Sequence, residues 1–154
     1  MFKSLCIGTY QSQGQSLQLP PSLRFPPLRE GNRVGRVGSV PPAGTLRAAI
    51  DTETVQEILH RYGALRRYAE AVAIAQDLLS VVDLVYPVTL RDIQRALELF
   101  SAYSAQGVQA RDTIHAAVMQ NNGIRAIISA DQHFDLIEEI ERIDPQDFAS
   151  ELPP

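Results

Sequence analysis

The stretch ARDTIHAAVMQNNGIRAIISADQHFD, residues 110–135, decides how this chain is read. Residues 111 to 120 have a helical pattern that stops at Asn121-Asn122-Gly123, a run that suits a helix end. Directly after it, Ile124 to Ser129 (IRAIIS) is short, apolar and β-branched, as a buried strand should be. Asp131 follows at the carboxyl end of that strand. A helix leading into an apolar strand, with an acid just beyond, is the repeating unit of an α/β layer fold whose sites collect past the strand ends.

The same alternation continues outward. Towards the N-terminus, Thr89 is a good N-cap for a helix whose Ile93, Ala96, Leu97 and Phe100 are expected to face inward. Before it, Leu84 to Val88 reads as a short strand, and residues 65–82 as a helix with Tyr68, Val72, Ala75, Leu78, Leu79 and Val82 on one stripe. Thr52-Glu53 opens another helix, with Val55, Ile58, Leu59 and Tyr62 at helical spacing and Gly63 as its C-cap. Leu46 to Ile50 reads as the strand feeding it. Towards the C-terminus, a short helical piece follows Asp131, and a last strand is expected near Glu141 to Ile143. The expected fold is therefore α/β, a small parallel sheet flanked by predominant helices.

The pattern breaks near residue 44. Residues 1–44 hold Lys3 and four arginines against one acid, Glu30, whereas the other seventeen acids all lie further on. Six of the ten prolines also fall there, as Pro20-Pro21, Pro26-Pro27 and Pro41-Pro42. Proline fixes φ and removes a donor, so this segment reads as irregular or disordered. The division is 1–44 irregular, 45–148 a folded domain and 149–154 a tail.

The 154 residues suit one domain, and a 45% hydrophobic content supports a core. A net charge of −4 excludes a generally basic nucleic-acid-coating protein, although an acidic metal site can still act on RNA. The lone cysteine, Cys6, excludes a disulfide framework and a cysteine-rich zinc site. No apolar run approaches the ~20 residues needed to span a bilayer, so the expectation is a soluble cytoplasmic protein.

Three acids sit where such a fold would put a site: Glu57 beside the apolar stripe of its helix, Asp112 in the first turn of the fourth helix, and Asp131 after the strand. Convergent carboxylates bind hard divalent cations, which stabilise phosphoryl displacement. Each acid also has a purely structural reading. Asp112 favours a helix N-terminus, Glu57 suits a solvated edge, and Asp131 could cap the next turn.

The wording around these acids resembles a known family. TVQEILHRY (54–62), ARDTIHAAVMQNNGIRAIISADQHFD (110–135) and IERIDP (140–145), in that order over about a hundred residues, are similar to PIN-domain ribonucleases of the VapC toxin type. The resemblance implies a small parallel sheet between helices and metal-dependent endonucleolytic cleavage of RNA, with tRNA or rRNA as substrate. It also implies Mg²⁺ or Mn²⁺ as cofactor, a cognate antitoxin and a homodimer. Carried over by position, Glu57, Asp112 and Asp131 would be catalytic metal ligands. Ser129 would orient metal or phosphate, Arg111 would touch phosphate, and Asp135 would take a peripheral or second-metal role.

The resemblance fails at one point. The family opens with a buried strand ending in an aspartate, and no aspartate precedes Asp51 here. Asp51-Thr52-Glu53 imitates that motif but stands at the entry to the Glu57 helix, so Asp51 is read as a helix-entry residue. Residues 1–44 are expected to lack the strand, either because they are out of frame or because they are a native extension. Two functions follow: a VapC-like ribonuclease impaired by loss of one ligand, or a non-catalytic PIN-like module that binds an antitoxin or another protein. His115, three residues after Asp112, is expected to pack rather than ligate. His60 and His133 are expected to be exposed and without zinc-like spacing, and Arg61, Arg66 and Arg67 to form a small basic, solvated spot.

Overall fold

The computed structural model describes residues 7–9 and 48–150. The elements in chain order are β1 (Ile7–Thr9), β2 (Ala48–Asp51), α1 (Thr52–Ala64), α2 (Tyr68–Val81), β3 (Leu84–Tyr86) and α3 (Leu90–Tyr103). They continue with α4 (Ala110–Asn121), β4 (Ala126–Ile128), β5 (Glu141–Ile143) and α5 (Pro145–Ser150). Two 3₁₀ turns, Ser104–Gln106 and Gln132–Leu136, sit before α4 and after β4.

The five strands form one sheet in the order β3-β2-β1-β4-β5. The outer pairs are parallel: Ile50 lies opposite Val85, and Ile127 opposite Arg142. The centre corrects the expectation of a missing middle strand. Ile7–Thr9 lies between β2 and β4 and runs antiparallel to both, with Gly8 opposite Ala49 and Ile127. Both β2 and β4 otherwise present an unsatisfied row of amides and carbonyls at the middle of the sheet, and β1 pairs that row. The rest of the 1–44 segment lies outside the described residues, as does the end of the 149–154 tail.

Most of the core is built on α4 and β4. Ala116, Ala117, Ile127 and Phe134 are fully buried and cluster with Leu99, Val108, Met119 and Ile137. Helix α3 packs on α4, but not by the stripe its sequence suggests. Ala96 is buried as expected, together with Asp92 and Leu99, while Ile93, Leu97 and Phe100 are 38%, 65% and 40% exposed. The two stripes are one residue apart, a roll of about 100° around the axis, and α3 carries apolar residues on both. In α2, which packs on α1, the buried residues are Ala71 and Ala75, while Tyr68, Val72 and Leu79 are exposed. Gly63 is not the C-cap of α1. The helix runs through Ala64, and Arg66 takes the left-handed conformation (φ 59°) while Arg67 donates its backbone N–H to the Tyr62 carbonyl. This turn delays α2 to Tyr68.

Candidate active site

Asp131 sits beyond β4, as its place after IRAIIS foretold. Ser129, almost fully buried, accepts a hydrogen bond at its Oγ from the Asp131 backbone N–H (3.1 Å). Arg142 on β5 donates to the Ser129 carbonyl (2.9 Å). The end of the strand is thus held from both sides, and Asp131 starts its 3₁₀ turn from a fixed point. Its Oδ1 accepts the His133 backbone N–H (3.0 Å) and lies 2.8 Å from His133 Nδ1. The capping reading of Asp131 is therefore correct, and it coexists with a second placement: ligand atoms of Asp112, Asp131 and His133 all lie within 4.8 Å of one another.

Asp112 is buried in the first turn of α4, where its Oδ2 accepts the Gln109 backbone N–H (3.1 Å). Burial, reinforced by the negative charge of Asp131, pushes its carboxyl above the usual range. The Gln109 hydrogen bond and the nearby His115 and His133 oppose that shift without cancelling it. A buried acid with a raised pKa beside a second acid is a common signature of a site that accepts positive charge.

Glu57 is buried on α1 and lies outside that three-residue group. Its Oε1 is 3.3 Å from Arg61 and 3.4 Å from Arg111, and Arg111 also reaches Glu53 at 3.3 Å. Arg111 thus bridges α4 to α1 beside Asp112. Glu57 Oε2 is buried with no hydrogen-bond partner. Asp135 is half exposed, ion-paired with Arg142 (2.9 Å) and not one of the three-residue group.

Two residues exceed what the sequence suggested. Asp51 is the N-cap of α1, as expected, with Oδ1 accepting from the Thr54 N–H (3.0 Å), but its Oδ2 also meets His115 Nδ1 at 2.7 Å in a fully buried pair. His115 is therefore structural and latches α4 to the start of α1. His133, expected to be exposed and without zinc-like spacing, is half buried against Asp131. Its signal was the two-residue spacing from Asp131, which a tight turn closes. His60 is exposed as expected. Arg67 stacks over the Tyr62 ring (5.3 Å) and pairs with Glu70, and Arg61 meets Glu57, so two arginines of the basic spot are ion-paired.

The PIN domain family profile matches residues 43–140. The chain belongs to the PIN domain family. It is 38% identical over 102 residues to a VapC ribonuclease of Mycobacterium bovis and, to the same degree, to Ribonuclease VapC13 of Mycobacterium tuberculosis. Each alignment covers 66% of this chain and 76% of the relative. No solved structure matches it. The PIN assignment agrees with the helix-rich layers and the small sheet, and the matched span begins just before β2 and ends just before β5. Among the described residues, no helix is long and apolar enough to cross a membrane.

Proposed function

We propose that this PIN-domain chain is a divalent-metal-dependent endoribonuclease of the VapC toxin type, hydrolysing phosphodiester bonds in RNA. The observation that carries this reading is the convergence of Asp112 and Asp131, from separate elements, on one point at the carboxyl end of β4. The residues fit a cation. Asp112 is a buried acid with a raised pKa beside another carboxylate, and Glu57 keeps a buried oxygen without a hydrogen-bond partner. Mg²⁺ or Mn²⁺ would be held by Asp112 and Asp131, with Glu57 as the third acid and Asp135 as a peripheral one. When bound, such a cation supplies Lewis-acid stabilisation of charge on the scissile phosphate. Ser129 orients the Asp131 turn, and Arg111, one-third exposed between Glu53 and Glu57, would meet a phosphate at the rim. The RNA would be tRNA or rRNA, and a cytoplasmic antitoxin would cover the site, as the VapC likeness suggests.

The central strand bears on how active the chain is. β1 runs antiparallel, so its first residue, Ile7, and not its last, lies level with Ile128 at the site end of β4. Ile7–Thr9 holds no acid. We therefore expect weak metal-dependent cleavage. A mixture of tRNA and rRNA incubated with Mn²⁺, with and without chelator, tests this. Asp112→Ala and Asp131→Ala should each abolish the chelator-sensitive signal. Cleavage that survives both substitutions belongs to another nuclease and removes the proposal.

A second reading is a non-catalytic module that binds an antitoxin or a second copy of itself. It is favoured by the exposed apolar stripe of Leu90, Ile93, Leu97 and Phe100 on α3. Capture of the neighbouring small gene product that persists in chelator, with no cleavage by the wild-type chain, would select it.

A further inference from the structure

We propose that His133 is a third, nitrogen ligand of the cation site, and that it turns the site's preference from Mg²⁺ towards Mn²⁺. This rests on the proposed function, because it assumes that Asp112 and Asp131 hold a cation. Three observations on this chain support it.

First, His133 Nδ1 and Asp131 Oδ1 are 2.8 Å apart, and a ligand atom of Asp112 lies within 4.8 Å of both residues' ligand atoms. Neighbouring ligands around a six-coordinate cation with bonds of about 2.1 Å are about 3 Å apart, and opposite ligands about 4.2 Å. The Asp131–His133 pair has the spacing of adjacent corners, and Asp112 lies close enough to both to share a cation with them after a small adjustment. A cation between Nδ1 and Oδ1 would replace their direct contact.

Second, the ring is placed by the backbone. The His133 N–H donates to the same Asp131 Oδ1 (3.0 Å), so the 3₁₀ turn fixes both groups together. On the ring's other side the loop before α4 passes at Gly107, in a left-handed conformation (φ +98°). A Cβ there would stand 3.1 Å from His133 Nε2, so the absence of a side chain leaves room for the imidazole.

Third, the donor chemistry is mixed. Asp112 and Asp131 are buried and half-buried acids whose charges oppose one another, so the site gains from positive charge. Carboxylates alone suit Mg²⁺, whereas imidazole adds affinity for Mn²⁺ and later transition metals. The plain alternative is that His133 only closes the turn.

The test uses the full chain stripped of metal, titrated with Mn²⁺ alone and with Mg²⁺ alone by calorimetry, and Mn²⁺-loaded chain examined by pulsed electron paramagnetic resonance for coupling to ¹⁴N. The wild type should bind Mn²⁺ more tightly than Mg²⁺ and show an imidazole ¹⁴N signal. His133→Gln should lose that signal and weaken Mn²⁺ binding by about tenfold, with Mg²⁺ affected less than about threefold. Gly107→Ala, which keeps the imidazole but crowds it, should weaken Mn²⁺ in the same direction. Circular dichroism checks that both variants fold. If Mn²⁺ binds, Asp112→Asn removes it, and yet no ¹⁴N coupling appears and His133→Gln changes nothing, the ligand assignment is wrong while the acidic site stands. If Mn²⁺ binding is absent, or indifferent to Asp112→Asn, the site reading fails and takes this inference with it.

Discussion

The two sides of the site are held in opposite ways. On the α4–β4 side, Asp112 and Asp131 are drawn together, and the two nearest imidazoles offset the cost of charge on Asp112 only in part. On the α1 side, Glu57 is equally buried but is met by two arginines, Arg61 and Arg111. One side stores negative charge without full compensation and the other is neutralised. In the first arrangement, burying like charges close together is unfavourable in itself, although each carboxylate also caps a turn. The cation of the proposed function would relieve that repulsion. The second is compatible with a structural role, a site role, or both.

The strongest break of this comparison is the latch between the sides. Asp51 satisfies α1 with one oxygen and His115 of α4 with the other, in a pair with almost no solvent contact. Asp51→Ala leaves the helix uncapped and the imidazole buried without its carboxylate. Urea denaturation should show a loss of about 3 kcal/mol, within the range for breaking a buried pair. A loss under 1 kcal/mol would mean that the sides are joined elsewhere.

The comparison itself predicts a difference of sign. Asp112→Asn keeps an acceptor for the Gln109 N–H and removes the repelled charge, so it should stabilise the metal-free chain by about 1 kcal/mol. Glu57→Gln removes the charge that two arginines meet and should destabilise it by about 1 to 2 kcal/mol. Thermal melts in chelator measure both. Equal signs would show that the two acids do not differ as described.

A pH series sharpens the same point. The folded-state pKa of Asp112 is raised above its unfolded value, so the folded chain holds that proton more firmly. Its contribution to stability is fully present below the unfolded carboxylate pKa and is lost as pH rises through the raised folded value. Stability measured from pH 4 upward should therefore fall more in the wild type than in Asp112→Asn over that window.

The smallest effect is expected away from the site, at Asp92. Burial alone would raise this carboxyl, but hydrogen bonds from Thr89 and Asn121 outweigh it and hold the pKa below the usual range. Its contribution is present above the unfolded pKa and is lost as pH falls through the folded one, opposite in sign to Asp112. Asp92→Ala removes the reciprocal cap with Thr89 and should cost about 1 kcal/mol at neutral pH, with the deficit shrinking towards pH 3.

Much of this was legible beforehand because it depends on short-range order. Helices α1 to α4 and strands β2 to β5 exist where apolar periodicity suggested, and Thr89 caps α3 as its type suggests, although Gly63 does not cap α1 and α2 starts later than expected. Asp112 and Asp131 could be picked out because the start of a helix and the end of a strand are positions a sequence marks. The buried face of α3 could not, because both neighbouring stripes are apolar and only the partner helix chooses between them. His133 and the Asp51–His115 pair were missed for a related reason. A two-residue turn must close to bring the first to Asp131, and the second joins residues sixty-four apart.

By itself, the sequence determined the alternation of strands and helices and the break in composition near residue 44, which follow from side-chain type and spacing along the chain. The grouping of the acids into one set came from the resemblance to the PIN family. The tertiary structure alone decided that an antiparallel Ile7–Thr9 fills the sheet centre, that Glu57 is neutralised while Asp112 is not, and that an imidazole joins the acids. Backbone pairing, burial and charge act through space, and their sums are fixed only once distant residues become neighbours.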